Sequence, residues 1–156
     1  MTLSVRDSGI WKTASSISVK DGGVWKTAVQ AWVFDAGTWK PFFVAVTLTA
    51  TASPTTLSNS GSYNSGFLVT ATCTAIPANG TGPYTYLWSR VSGSTGVKIG
   101  DNKGQSDTST ASAVTFTALP YGAYTASAVF QCVVTDTSTG QTATTNNVNV
   151  TIQYTS

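Results

Sequence analysis

The chain has 156 residues, 41% of them apolar and 9% charged, with eight Lys+Arg against six Asp+Glu and no His. That length makes one domain or two small ones with room for a real core, and a net charge of +2 is too weak a field for nucleic acid or an anionic membrane to be the main partner. With neither His nor Glu in the sequence, the commonest zinc ligand and the commonest general base are missing. Ser and Thr, close to a third of the residues, stand beside Val, Ala and aromatics, a mixture that suits short strands over helices.

The opening stretch, Met1 to Ser18, alternates polar and apolar residues without an apolar run of signal-peptide length. Nowhere do 18 apolar residues follow one another. The expectation is a protein soluble when made, with no membrane insertion and no visible export signal.

An internal repeat organises this opening. Val5-Arg6-Asp7-Ser8-Gly9-Ile10-Trp11-Lys12 recurs as Val19-Lys20-Asp21-Gly22-Gly23-Val24-Trp25-Lys26 and again as Val33-Phe34-Asp35-Ala36-Gly37-Thr38-Trp39-Lys40. The shift is 14 residues both times, and Val, Asp, Gly, Trp and Lys match in all three copies. Each copy reads as a β-hairpin with Val on one side of the turn, Trp on the other and Asp-x-Gly between. Asp7, Asp21 and Asp35 supply a side chain that bonds the backbone two residues on, and Gly9, Gly23 and Gly37 supply the positive φ of a tight turn.

Residues 1–43 are too few to close a solid core alone, yet they hold Trp11, Trp25, Trp32 and Trp39, four of the chain's five tryptophans. The inference is that these indoles, with Phe42 and Phe43 at the junction, bury against something else, either other copies of the chain or a partner surface. Two other readings stand beside it. One is a mini-domain packed only on its neighbour in the chain. The other is a glycan-binding module, with Trp stacking on sugar faces and Asp accepting from hydroxyls. The junction near Pro41 is too apolar for a flexible tether.

From Val44 to Ser156 lysine nearly disappears, and several runs alternate with period two, the mark of strands with one buried face. They are Val46–Ala50, Phe67–Ala75, Tyr84–Trp88, Ala113–Thr117, Ala126–Val134 and Asn147–Ile152. Ser58–Gly61, Pro77–Gly80, Leu119–Gly122 and Asp136–Gly140 read as turns between them. Six or seven short strands in about 110 residues is the arithmetic of a β-sandwich. The whole chain is expected to be all-β, three hairpins followed by a sandwich. Phe67, Val69, Ala71, Cys73, Trp88, Val114, Phe116, Ala128, Phe130, Cys132, Val134, Val148, Val150 and Ile152 are expected in the core. Thr70, Thr72, Thr74, Thr115, Thr117, Asn147, Asn149 and Thr151 are expected to face water. The stretch 91–112 reads as loops around a short edge strand at Val97-Lys98-Ile99.

Cys73, Trp88 and Cys132 follow one another in the second, third and penultimate of these runs. That order and spacing resembles the immunoglobulin fold, in which a buried Trp packs on a bridge joining two sheets. Here Cys73 and Cys132 read either as such a pair or as two core thiols. The position two before the second Cys is Phe130, where antibody-like domains keep a corner Tyr; the resemblance is therefore to bacterial-type or phage-type Ig-like modules.

Catalysis of the Ser-His-Asp or Cys-His type cannot be assembled without His. Three of the six aspartates are repeat-turn residues and the other three lie in separate loops, which leaves no carboxylate pair. Asp101, Asn102 and Asp107 match no calcium-loop spacing. The expectation is a protein that is not an enzyme, with no cofactor and no metal.

The tandem V-x-D-x-G-x-W-K units, directly followed by an Ig-like domain, resemble modules of tailed-bacteriophage virion proteins of the tail, fibre or head-decoration type. The resemblance rests on Asp21-Gly22-Gly23-Val24-Trp25-Lys26 and its two copies. It implies a structural protein assembled into a virion in the host cytoplasm, anchored through the repeats to other virion proteins or to copies of itself, with a trimer favoured. It also implies an Ig-like domain projecting outward into weak contact with host-surface glycan. The alternative from a different class is a carbohydrate-binding module or adhesin.

Overall fold

The computed structural model describes residues 4–7, 10–13, 17–28, 30–44 and 46–156, and the side chains of 17–28, 31, 32, 34, 36–39 and 46–156. The chain divides into two compact units, Met1–Thr47 and Leu48–Ser156. Among the described residues every regular element is a strand except one 3-10 turn at Tyr63–Ser65. The protein is all-β.

In the first unit β1 (Ser4–Asp7) pairs antiparallel with β2 (Ile10–Thr13), β3 (Ile17–Asp21) with β4 (Val24–Ala28), and β5 (Gln30–Asp35) with β6 (Thr38–Val44). The register repeats with the sequence. Val5 faces Lys12, Val19 faces Lys26 and Val33 faces Lys40, while Trp11, Trp25 and Trp39 stand opposite Arg6, Lys20 and Phe34. Gly22 and Gly23 have φ of 57° and 85°, and Ala36 and Gly37 have 48° and 80°. Both central positions are left-handed, as a type I′ turn demands, and that turn's twist matches the twist of the strands it joins. Residue patterning pointed to the second position only. The first is left-handed as well, so Gly22 suits it and Ala36 is strained there. β6 runs past Phe43 to pair Val44 with Gln30; the unit accordingly ends at Thr47 rather than at the expected residue 43.

The second unit is an Ig-like sandwich. Its strands are β7 (Thr49–Ser53), β8 (Thr56–Ser62), β9 (Leu68–Val69), β10 (Cys73–Ala78), β11 (Tyr84–Gly93), β12 (Val97–Gly100), β13 (Gln105–Ser106) and β14 (Thr108–Ser109), then β15 (Ala113–Val114), β16 (Phe116–Ala118), β17 (Tyr124–Asp136), β18 (Thr142–Thr144) and β19 (Val148–Thr155). One sheet runs β14-β11-β17-β19-β8, with β18 also on β17. Its pairs are antiparallel except β19 with β8, which is parallel. The opposite layer consists of two short sheets, β7-β10-β15 and β13-β12-β16-β9. Between the layers lie Trp88, Phe116, Phe130, Cys73, Cys132, Val97, Val134, Val148 and Ile152, all fully buried. Phe116 meets Trp88 edge-on at 6.4 Å and Phe130 at 4.6 Å between ring centroids, the offset geometry aromatic quadrupoles favour.

Two expected strands are each broken, for a shared reason. The run Phe67–Ala75 divides into β9 and β10 around Thr70–Thr72, and Ala113–Thr117 divides into β15 and β16 at Thr115. At the break the Thr70 hydroxyl accepts from the Phe116 N–H at 3.0 Å and donates to the Ala71 carbonyl at 2.9 Å. Thr117 donates to the Leu68 carbonyl at 2.8 Å. Thr70 and Thr117 are therefore buried, against the expectation that they face water, while Phe67 and Val69 are half-buried and Ala71 is exposed, against the expectation that they lie in the core. Thr115, also expected outside, is half-buried and donates to the Gly100 carbonyl at 3.0 Å. Period two holds only inside an unbroken strand; across a break the inward parity resets.

Further differences have the same origin in pairing. Ser58–Gly61, read as a turn, lies inside β8, where polar backbone is held extended by its ladder with β19. Val97 and Ile99, read as a loop-edge strand, are core residues of β12. Pro77 and Ala78 continue β10, so the turn begins at Asn79, whose φ is 62°.

Candidate functional site

The first unit buries none of its described side chains. Trp25, Trp32 and Trp39 are 68%, 48% and 63% exposed, and Val19, Val24 and Phe34 are likewise open to solvent. Side chains alternate across a strand, so each hairpin has two unlike faces. In the second hairpin one face carries Lys20 and Trp25, with the Lys20 ammonium 6.0 Å from the indole centroid, a cation held over a ring. The other face carries Val19 and Val24 with Lys26 bound to Asp21 at 2.6 Å. Asp21 thus ties the two strands together diagonally, a use beyond the turn role read from sequence. The same Asp-to-Lys spacing recurs at Asp7/Lys12 and Asp35/Lys40. In the third hairpin Phe34 replaces the cation and its ring meets Trp39 at 5.2 Å.

The backbone positions of Asp7, Trp11, Asp35, Phe42 and Phe43 lie in β1, β2, β5 and β6. Their side chains, and Gly9 altogether, lie outside the described residues. The anchor role expected of Trp11, Phe42 and Phe43 falls there too.

In the second unit Cys73 and Cys132 are buried free thiols. Cys73 donates to the Pro54 carbonyl at 3.3 Å and Cys132 to the Val133 carbonyl at 3.6 Å. Burial, with a smaller contribution from Cys132, pushes the Cys73 thiol up to about 11, and burial raises Cys132 as well. Thiols so shifted are protonated at neutral pH and poor nucleophiles. Trp88 faces Cys132 across the β11–β17 ladder and donates its indole N–H to the Ala111 carbonyl at 3.0 Å. These three residues form core, as an Ig-like arrangement implies.

The corner tie absent at Phe130 is supplied from elsewhere: Tyr124, the first residue of β17, donates its hydroxyl to the Leu119 carbonyl five residues back. Phe130 instead packs in the core with the Arg90 guanidinium 5.6 Å from its ring.

Two polar clusters were not legible as such. Asp136, fully buried at the end of β17, accepts at one oxygen from the Ser138 hydroxyl and N–H at 2.6 and 2.9 Å and from the Thr139 N–H at 3.3 Å. Its other oxygen takes the Thr81 N–H at 2.7 Å, the Thr81 hydroxyl at 3.2 Å and the Gly82 N–H at 3.3 Å. The Ser138 hydroxyl foremost, with the backbone donors, holds this carboxyl well below the usual range despite its burial. The carboxylate locks two loops together and has no room for a substrate. Asp107 pairs with Lys98 at 2.8 Å and Arg90 at 2.6 Å, which lower its pKa in that order. Asp101 is taken up by the N–H groups of Lys103 and Gly104. No group of three or more His, Cys, Asp or Glu among the described residues is arranged to hold a metal ion, and no described helix is long and apolar enough to cross a membrane.

No protein-family model matches the sequence, and neither does any curated protein. Among solved structures, the chain is similar to the PKD domain (329–428) from human KIAA0319, at 18% identity over 71% of this chain and 85% of that one, with a TM-score of 0.45. It is similar too to PapD-like domain 7 of human CEP192, at 10% identity over 68% and 84% with a TM-score of 0.42. A third likeness is to WR4, a C. elegans MSP family member, at 12% identity over 68% and 97% with a TM-score of 0.35. Likenesses at this level say nothing of what the chain binds.

Proposed function

We propose that the protein is a non-enzymatic structural component of a phage particle, anchored through its N-terminal hairpins and projecting the Ig-like unit outward. The observation that supports this is the contrast in burial: the hairpins leave Trp25, Trp32 and Trp39 exposed while burying no described side chain. Isolated two-stranded hairpins are marginal in water, and large aromatics exposed together mark an interaction surface. Aromatic anchors dominate interface energies, so the hairpins gain their stability at the contact they make. The Ig-like unit needs no such help and presents a surface of Ser, Thr and Asn, suited to standing exposed.

The test is incorporation. Trp25→Ala is expected to cost roughly 2–4 kcal/mol at the anchoring interface and to deplete the protein from purified particles, read by mass spectrometry against an unchanged major capsid protein. Wild-type levels of the variant in particles overturn the anchor role. The same exposed indoles favour one other reading, a carbohydrate-binding module or adhesin; it predicts sugar binding by the full chain that Trp25→Ala and Trp39→Ala abolish. A glycan array silent for the wild-type chain removes that reading.

A further inference from the structure

The three hairpins are three separate two-stranded sheets, and no ladder joins one to another among the described residues. For β4 and β5 there is a direct reason. A single residue lies between Ala28 and Gln30, and the tightest common hairpin needs a two-residue loop, so these neighbouring strands cannot fold back to pair with each other.

The edges are patterned. A two-residue turn closes on a hydrogen-bonded pair, here Asp21 with Val24, and such pairs alternate with non-bonded ones along the ladder. Ile17, Val19 and Asp21 therefore direct their N–H and C=O groups inward to β4, while Ser18 and Lys20 direct theirs outward. On β4 the outward set is Trp25 and Thr27. If the outer edge of β4 meets the outer edge of β3 of a second copy in the register used inside the hairpin, Trp25 bonds Lys20 and Thr27 bonds Ser18. Every pair that stabilises the hairpin is then made again across the contact. Trp25 gains a second lysine neighbour on its own face. Lys26 and Asp21 neutralise one another within each hairpin, which leaves Lys20 as the single uncompensated charge of residues 17–28.

The third hairpin breaks this pattern at one backbone atom. The position equivalent to Thr13 and Thr27 is Pro41, opposite Trp32, past the hydrogen-bonded pairs Asp35–Thr38 and Val33–Lys40 and beside the irregularity at Ala31/Trp32. Its missing N–H is one that would point outward. Proline there leaves the hairpin's own ladder intact and stops further pairing on the β6 edge, the usual way edge strands are guarded. Pairing β4 of one copy with β3 of the next is a head-to-tail contact, so a hairpin open on both edges extends until a ring closes or as a filament, and proline keeps only the β6 edge out of it.

We infer that the first unit assembles with further copies of this chain by antiparallel edge-to-edge β-pairing of its first two hairpins, in the intrahairpin register, while Pro41 keeps the β6 edge of the third out of the pairing. This deepens the anchoring reading by naming the chain itself as partner, and it rests on that reading only for its biological setting.

The experiment uses the full chain. Sedimentation velocity over a concentration series is expected to show species heavier than one chain that grow with concentration, and Thr13→Pro/Thr27→Pro, which copies the Pro41 device into both open hairpins, is expected to return it to the mass of one chain. Thr13→Val/Thr27→Val, which keeps the N–H groups, is expected to stay multimeric. Amide hydrogen exchange guards against simple unfolding of the proline variant: in the wild type, Ser18, Lys20, Trp25 and Thr27 are expected to slow by about tenfold or more as assembly proceeds. A wild-type chain that stays monomeric throughout, or one that assembles while those four amides exchange at monomer rates, overturns the inference. A monomeric chain still packed into particles would sink edge pairing and leave the anchor; a multimer absent from particles would do the reverse.

Discussion

The two units are built from the same kind of strand and stabilised in opposite ways. In the Ig-like unit, non-local pairs close a sandwich around Trp88, Phe116 and Phe130, and even its polar outliers, Asp136, Thr70 and Thr117, are buried with their hydrogen-bonding capacity met inside the chain. In the hairpin unit all described pairing is local, its two described turns are of the most favourable type for a hairpin, and its largest described side chains face solvent. Local geometry can be right in every detail without providing a core. What separates the units is the number of layers: burial requires a second sheet on the apolar face, and the described residues of the hairpins bury no side chain.

The contrast can be broken hardest with tryptophan. Trp88→Ala is expected to destabilise the sandwich by about 3–5 kcal/mol, read as a lowered urea midpoint, whereas Trp25→Ala is expected to leave that midpoint within about 0.5 kcal/mol. Equal effects of the two substitutions would mean the hairpin indoles belong to the same cooperative unit. Acid should come next. The Asp136 carboxyl is depressed in the folded state, so its contribution is complete above the ordinary carboxylate range near pH 4 and is lost as pH falls through the lower folded value. Stability is expected to decline with acid below about pH 4, and Asp136→Asn to lower the neutral-pH midpoint and flatten that decline.

Thr117→Val leaves the Leu68 carbonyl without its side-chain donor and is expected to cost about 1–3 kcal/mol, visible in the same urea titration. Smallest is Ala36→Gly. It relieves a left-handed alanine, worth about 1–2 kcal/mol, against about 0.5–1 kcal/mol of extra backbone entropy. The net gain, between about zero and 1.5 kcal/mol, should appear only in exchange protection of the third hairpin's amides, since the sandwich is untouched.

The repeat was legible because each of its features acts within eight residues: Val on one side of the turn and Trp on the other, Asp at the turn, Gly at positive φ. The alternation of β17 and β19 was legible for the same reason, and it placed Phe130, Cys132, Val134, Val148, Val150 and Ile152 in the core. β8 was not. Its sequence, Thr-Leu-Ser-Asn-Ser-Gly-Ser, has turn composition, and only the parallel partner β19 makes it a strand. Nor was the inward turn of Thr70 and Thr117, since a threonine shows no sign of which N–H or carbonyl it will meet 46 or 49 residues away. The Asp136 cluster was hidden likewise: the turn following it was visible, but its second set of donors comes from Thr81 and Gly82. Tyr124 took the corner role from a position that no spacing rule marked.

What the amino-acid order determined by itself was the strand-forming alternation, the place and chirality of the hairpin turns and the absence of histidine and glutamate. All of these follow from steric and chemical preferences of residues close along the chain. Tertiary structure alone decided where long strands break and change sheets, which hydroxyls and carboxylates go inside, and that the larger unit buries Trp88, Phe116 and Phe130 while the smaller leaves Trp25, Trp32 and Trp39 exposed. Those outcomes depend on what a distant segment brings alongside, and a residue's neighbours in sequence carry no record of it.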